Sequence, residues 1–206
     1  MQLSQTHIHR FENFLDRIKG HTYPESPTEL HTSMTRKMFD YLTDKYPLGL
    51  NSKILDVGCG QGVALQLFTQ KGFDPIGITL NREDLTACLG KGYEVREMDQ
   101  SFLDFDDNVF DLIWCRHCIE HSIFPYFTLC ELYRVLKPKS YLYLEVPAPD
   151  TSCNHQTNIN HYSVLGKNMW ASLIIRTGLN ILEDIEISFT VQAGPDVYYA
   201  FIIQKM

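Results

Sequence analysis

The chain lacks a basic stretch. Nowhere in its 206 residues do four Lys or Arg stand together, and 18 basic residues face 25 acidic ones for a net charge of −7. A phosphate backbone is bound mainly through Lys and Arg, so nucleic acid is not the expected partner. A long apolar run is also missing. The run through residues 198–203 is far short of the roughly 20 residues needed to span a bilayer. The polar start, residues 1–10, has no apolar core of a secretion signal. A soluble, cytoplasmic protein is the expectation. No repeat, low-complexity tract or Ser/Gly linker divides the chain. Its six cysteines are scattered through apolar segments instead of forming the framework of a short secreted fold, which predicts reduced thiols.

What is present is a two-part pattern. Ile8, Phe11, Leu15 and Ile18 fall at helical spacing, with Phe14 widening the stripe and Gly20 stopping it. A loop with Pro24 and Pro27 follows over residues 21–29, and a second helix is predicted over 31–46, before Pro47. From there short apolar runs alternate with amphipathic segments. Strands are predicted at 53–57, 74–79, 93–98, 110–115 and 141–146, with helices at 63–71, 81–89 and 125–136. After a long loop over 147–162 come a helix at 163–176 and two consecutive strands at 180–190 and 197–204, which should be antiparallel. The pattern predicts an α/β fold with a seven-stranded, doubly wound, Rossmann-like sheet, mostly parallel with an antiparallel C-terminal strand. Such sheets bind ligands outside the carboxyl ends of their strands. Function should therefore sit after Val57, Thr79, Met98, Cys115 and Val146.

The strongest local signal is Ile54-Leu55-Asp56-Val57-Gly58-Cys59-Gly60-Gln61-Gly62, an apolar strand running into a glycine turn and then a helix. Glycines let the backbone approach a ligand closely, and a helix N-terminus offers free N–H groups. The spacing is G-x-G-x-G behind an acid. A dinucleotide fingerprint would need glycine at Val63. An ordinary tight turn would explain the glycines but not Asp56 in an apolar strand end.

From about Ser52 onward the sequence resembles the class I S-adenosylmethionine-dependent methyltransferases, small-molecule branch. Asp56-Val57-Gly58-Cys59-Gly60-Gln61-Gly62 is similar to their first motif, against which the methionine and ribose parts of the cofactor lie. Asp99-Gln100, then Leu103-Asp104-Phe105-Asp106-Asp107-Asn108-Val109-Phe110-Asp111, Ile119-Glu120-His121, and Glu131-Leu132-Tyr133-Arg134-Val135-Leu136-Lys137-Pro138 continue that pattern in order. The resemblance implies S-adenosyl-L-methionine as cofactor, held by Asp56, Gly58, Cys59, Gly60, Gly62, Thr79, Leu80, Asp99 and Gln100, with the last two at the adenine end. It also divides the chain into an N-terminal helical cover, residues 1–50, and a methyltransferase domain, residues 51–206. One departure is marked: the second strand ends in Thr79-Leu80-Asn81, where the family usually has an acid that accepts both ribose hydroxyls. Gly-x-Thr-Leu is found in the branch that modifies lipid acyl chains, and Thr79 either contributes its hydroxyl or is β-branched filler.

Methyl transfer is an in-line displacement helped mainly by positioning, and a hydroxyl acceptor also needs a base. His117 and His121, at the end of the fourth strand where the methyl group should point, are the candidates. The other reading of Glu120 and His121 is that they fix the turn. Cys115-Arg116-His117-Cys118 and His117-Cys118-Ile119-Glu120-His121 match redox and zinc-peptidase patterns, but neither sits in the required context. Quinone O-methyltransferases can place a divalent ion at Glu-x-x-Glu-His, and here His117 replaces the first Glu. Cys153, His155, His161 and Tyr162 suggest zinc, yet C-x-H lacks the spacing of a structural site and no second cysteine pair is near. No metal is expected. The reading is a methyltransferase of a small-molecule acceptor, by O-methylation. Its rivals are a non-catalytic binding protein on the same fold and an NAD-dependent oxidoreductase, the latter disfavoured by Val63 and Thr79.

Overall fold

The computed structural model describes residues 2–24 and 26–206. Met1 and Glu25, which belong to the polar start and to the predicted 21–29 loop, lie outside the described residues.

The order of elements is α1 (Gln5–Lys19), α2 (Glu29–Lys45), β1 (Lys53–Val57), α3 (Val63–Gln70), β2 (Asp74–Thr79), α4 (Arg82–Gly90), β3 (Glu94–Glu97), β4 (Phe110–Arg116), α5 (Pro125–Val135), β5 (Leu136–Pro147), α6 (Lys167–Arg176), β6 (Leu179–Val191) and β7 (Gly194–Lys205). Short 3₁₀ turns lie at Ile119–His121 and His155–Thr157. The seven strands form one sheet in the order β3-β2-β1-β4-β5-β7-β6. β1 through β5 pair in parallel, and β7 runs antiparallel to both β5 and β6. This is the mostly parallel Rossmann-like sheet that the alternation predicts. β1 and β2 occupy the predicted residues, because strands covered on both faces read as continuous apolar runs.

Two packed layers bury the sheet. On one face Trp114 stacks on Tyr143 with ring centroids 4.3 Å apart, Phe68 of α3 meets the indole edge, and Met38, Phe39 and Leu42 of α2 join the same cluster. On the other face Leu129 and Leu132 of α5 and Trp170, Leu173 and Ile174 of α6 pack on Leu55, Ile113 and Leu144. Thr28 caps α2 by accepting the His31 N–H, so that helix begins two residues before the prediction. Its Met38, Phe39 and Leu42 are among the buried core residues. α1, capped by Ser4, buries no residue; its Phe11 rests on Phe102 and Phe124.

β3, β5 and α6 are among the elements whose boundaries differ from the prediction. β3 is shorter, Glu94–Glu97. β5 is longer, continuing directly from α5 through Lys139, whose φ is +65°. α6 starts at Lys167 and not at Ser163, because the Ser163 N–H donates to the Glu120 carbonyl and its hydroxyl to the Ser122 carbonyl. Among the described residues, no helix is long and apolar enough to cross a membrane.

Candidate active site

The carboxyl ends of β1, β2 and β4 open into two adjoining chambers that share Tyr23, Gly58, Gly60, His117 and His121 as common walls. Their register explains the meeting. Val57 is level with both Ile78 and Cys115, and Arg116 is level with Glu145, so the loops leaving these strands emerge side by side.

The first chamber is lined by Thr79, Leu80, Asp99 and Gln100, together with Leu15 and Ile18 of α1. The turn after β1 carries positive φ at Gly58 (+72°), Gly60 (+48°) and Gly62 (+86°), where side chains are strained. A Cβ on Gly58 would stand 2.5 Å from Cys118 Sγ, so the turn presses directly on the loop after β4. Gly62 lines neither chamber; it faces Tyr93 and Cys88 and begins α3. Cys59 is buried against Gly77 and borders the second chamber. Thr79 Oγ1 accepts the Asn81 N–H, and Asn81 caps α4.

Buried polar atoms without partners show where a polar ligand would fit. Asp56, 3% exposed, has Oδ2 unsatisfied, and burial pushes its carboxyl up to about 8. Gln100 donates Nε2 to the Cys118 carbonyl at 2.8 Å while its Oε1 has no partner. A buried acceptor left unmade costs about 1–3 kcal/mol. The glycine cradle together with these two atoms matches the demands of an amino-acid-bearing nucleoside.

Arg116, His117 and Glu120 line the second chamber, and Glu145 lies behind the first two. Glu145, fully buried at the end of β5, accepts from the Tyr143 hydroxyl and from His117 Nε2 at 2.9 Å, and lies 2.7 Å from Arg116 Nε. Burial pushes its carboxyl up, but Arg116 and His117 outweigh that and hold it at about 2. His117, at φ +50°, has Nδ1 3.5 Å from Glu120. Burial lowers its pKa, yet Glu120 and Glu145 prevail and raise it to about 9. The sequence offers His117 as a candidate base; between two carboxylates it is an imidazolium at neutral pH. His31, stacked on it, is depressed to about 4 by burial and by His117 and Arg116.

His121 is held differently. Its Nδ1 lies 3.0 Å from the Asn160 carbonyl, which fixes the proton there and leaves the Nε2 lone pair available when the ring is neutral. His161 stands edge-on to it at 4.7 Å and is depressed to about 4, first by burial. Ligand atoms of Glu120, His121 and His161 lie within 4.8 Å of one another.

Sequence reasoning brought Asp56, the glycines, Thr79, Leu80, Asp99, Gln100, His117 and His121 to the site's description but passed over Arg116, Glu145, His31 and Tyr198. Only Glu145 carried a signal in the sequence: an acid inside an apolar strand, the same mark that singled out Asp56.

Residues 55–144 match the methyltransferase domain family. A 27-O-demethylrifamycin SV methyltransferase of Amycolatopsis mediterranei is 24% identical over 156 residues, 68% of this chain and 57% of that protein. A ubiquinone biosynthesis O-methyltransferase of Photobacterium profundum is 24% identical over 154 residues, 69% of this chain and 63% of that one. The chain thus spans about three fifths of these relatives' lengths. Among solved structures, the [4+2]-cyclase SpnF superposes with a TM-score of 0.71 at 18% identity, covering 94% of this chain and 92% of its own. In its glycine cradle, ordered motifs and matched residues 55–144, this chain is similar to the class I S-adenosylmethionine-dependent methyltransferases.

Proposed function

We propose that the protein transfers a methyl group from S-adenosylmethionine to a hydroxyl of a small-molecule acceptor. The observation that carries this reading is the junction of the two chambers at Gly58, Gly60, His117 and His121. The cofactor fits the first chamber, with Thr79 and Leu80 at the ribose and Asp99 and Gln100 at the adenine, and its methionine part reaches the Gly58–Gly60 turn that the second chamber shares and that Asp56 borders from the second chamber's side. When bound it supplies an electrophilic methyl group. The chain's own residues then position an acceptor in the second chamber and exclude water, which is where most of the rate in a displacement originates. His121 Nε2 takes the acceptor's proton, with Asn160 holding the ring by Nδ1. His117, already protonated, is a positioning group and not the base. The names of the two relatives described above support oxygen as the methylated atom, while other relatives are named for transfer to nitrogen or carbon.

A second reading, ligand binding or other chemistry without methyl transfer, is favoured by two observations: no acid stands at Thr79, and the same fold serves a cyclase. The experiment is release of S-adenosylhomocysteine during incubation with S-adenosylmethionine and a mixed metabolite extract. Turnover above the extract-free rate is expected. Calorimetric cofactor binding without any turnover would establish the second reading.

A further inference from the structure

The loop after β5 and the first residues of β7 bring three metal-ligating side chains together. One ligand atom from each of Cys153, His155 and Asp196 lies within 4.8 Å of the other two. His155 Nε2 is 3.0 Å from both carboxylate oxygens of Asp196, and the thiol is hydrogen-bonded to the same carboxylate. Asp196 is 2% exposed. In the sequence C-x-H lacks the spacing of a structural zinc site and no second cysteine pair is near; the fold supplies a third ligand from 41 residues beyond His155.

We propose that Cys153, His155 and Asp196 bind a zinc-class divalent cation. The donor set decides the class, because a thiolate with an imidazole selects zinc or its neighbours, whereas magnesium and calcium take oxygen. The charges also balance. A thiolate and a carboxylate neutralise a dication, so the largely buried site carries no net charge. Three protein ligands satisfy three corners of the tetrahedron zinc prefers. In the metal-free chain the trio holds itself by hydrogen bonds; the ion takes the place of the Cys153 Sγ proton, which is released, and His155 Nε2 binds as a neutral imidazole with its proton on Nδ1. The ion ties the 148–162 loop to the β6–β7 hairpin, where the Ser152 N–H already donates to the Pro195 carbonyl. Asn160, which orients His121, belongs to that loop. The proposal does not depend on the reaction, because metal binding is its own readout.

The test uses the full chain, stripped with chelator and reduced. Zinc is titrated against a chromophoric competitor, and cobalt(II) is added separately. One equivalent is expected, with a near-ultraviolet thiolate-to-cobalt band and a melting temperature raised by zinc. Cys153→Ser should abolish the band and weaken zinc binding at least ~10-fold, with no zinc-dependent rise in melting temperature. His155→Gln weakens binding in the same way and covers the case in which the serine variant folds poorly. His161→Ala, which removes a member of the neighbouring Glu120–His121–His161 group, should keep the band. A missing band in the wild-type protein, a band that survives Cys153→Ser, or one lost in His161→Ala would each overturn the proposal.

Discussion

His117 and Glu145 are joined twice across neighbouring strand ends. The His117 backbone N–H donates to the Glu145 carbonyl at 2.9 Å, and the ring Nε2 stands 2.9 Å from Glu145 Oε1. This double link offsets the cost of a left-handed backbone at a residue that is not glycine. It also makes stability depend on pH. His117 is held at about 9 in the fold against an ordinary 6.5, so its contribution is full below pH 6.5 and is lost as pH rises through 9. The melting temperature should fall across that window by on the order of 5 °C, and His117→Gln should flatten the fall. Equal slopes in the two proteins would show that another group is responsible.

His121→Ala should lower turnover by ~10²–10⁴-fold, the usual effect of losing a general base, while affinity for S-adenosylhomocysteine stays nearly unchanged. Activity that disappears with a chelator and returns with magnesium would instead assign His121 to a metal site with Glu120 and His161.

Gly58→Ala tests the cradle. The new methyl would meet Cys118 Sγ at 2.5 Å and Cβ at 2.8 Å, on a backbone already at φ +72°. Calorimetry should show cofactor binding weakened at least ~10-fold, with a melt that remains cooperative but at lower temperature, since left-handed strain costs about 1–3 kcal/mol. Unchanged binding would mean the ligand does not approach this turn.

Asp56→Asn separates binding from stability. Burial raises this carboxyl to about 8 from an ordinary 3.8, so the unfolded chain loses this proton first and stability falls as pH rises from 3.8 to about 8. The variant should melt higher than the wild-type protein at pH 8 and converge with it toward pH 4, yet bind cofactor more weakly. Stronger cofactor binding by the variant would remove Asp56 from the site.

The amphipathic stripe of α1 touches the body through Phe11 and lines the first chamber with Leu15 and Ile18, but none of its residues is buried. Deleting residues 2–20 should therefore leave a folded core with a raised KM for cofactor or acceptor. Unchanged kinetics would reduce the helix to surface packing, and a collapsed melt would show that it belongs to the core.

Elements covered on both faces were legible in the sequence, as β1 and β2 show, because burial from both sides writes an unbroken apolar run. Ends set by tertiary bonds were not. Ser163 reads as a helix start, yet it spends its N–H and hydroxyl on the loop that carries Glu120 and Ser122. The site divides along the same line. The glycine turn is a local strand–turn–helix device visible in nine residues, whereas the state of His117 depends on Glu145, 28 residues away, and Asp196 meets His155 only through the β7 pairing.

Because β7 lies between β5 and β6, the penultimate strand has no seat until the last one has been made. During synthesis the five parallel strands can assemble while β5 offers a bare edge, and β6 lacks the strand it pairs with among the described residues. An unpaired edge is a template for pairing with other chains. Ribosome stalling or proteolytic loss within residues 194–205 should thus yield an aggregating species in place of a slightly shortened protein.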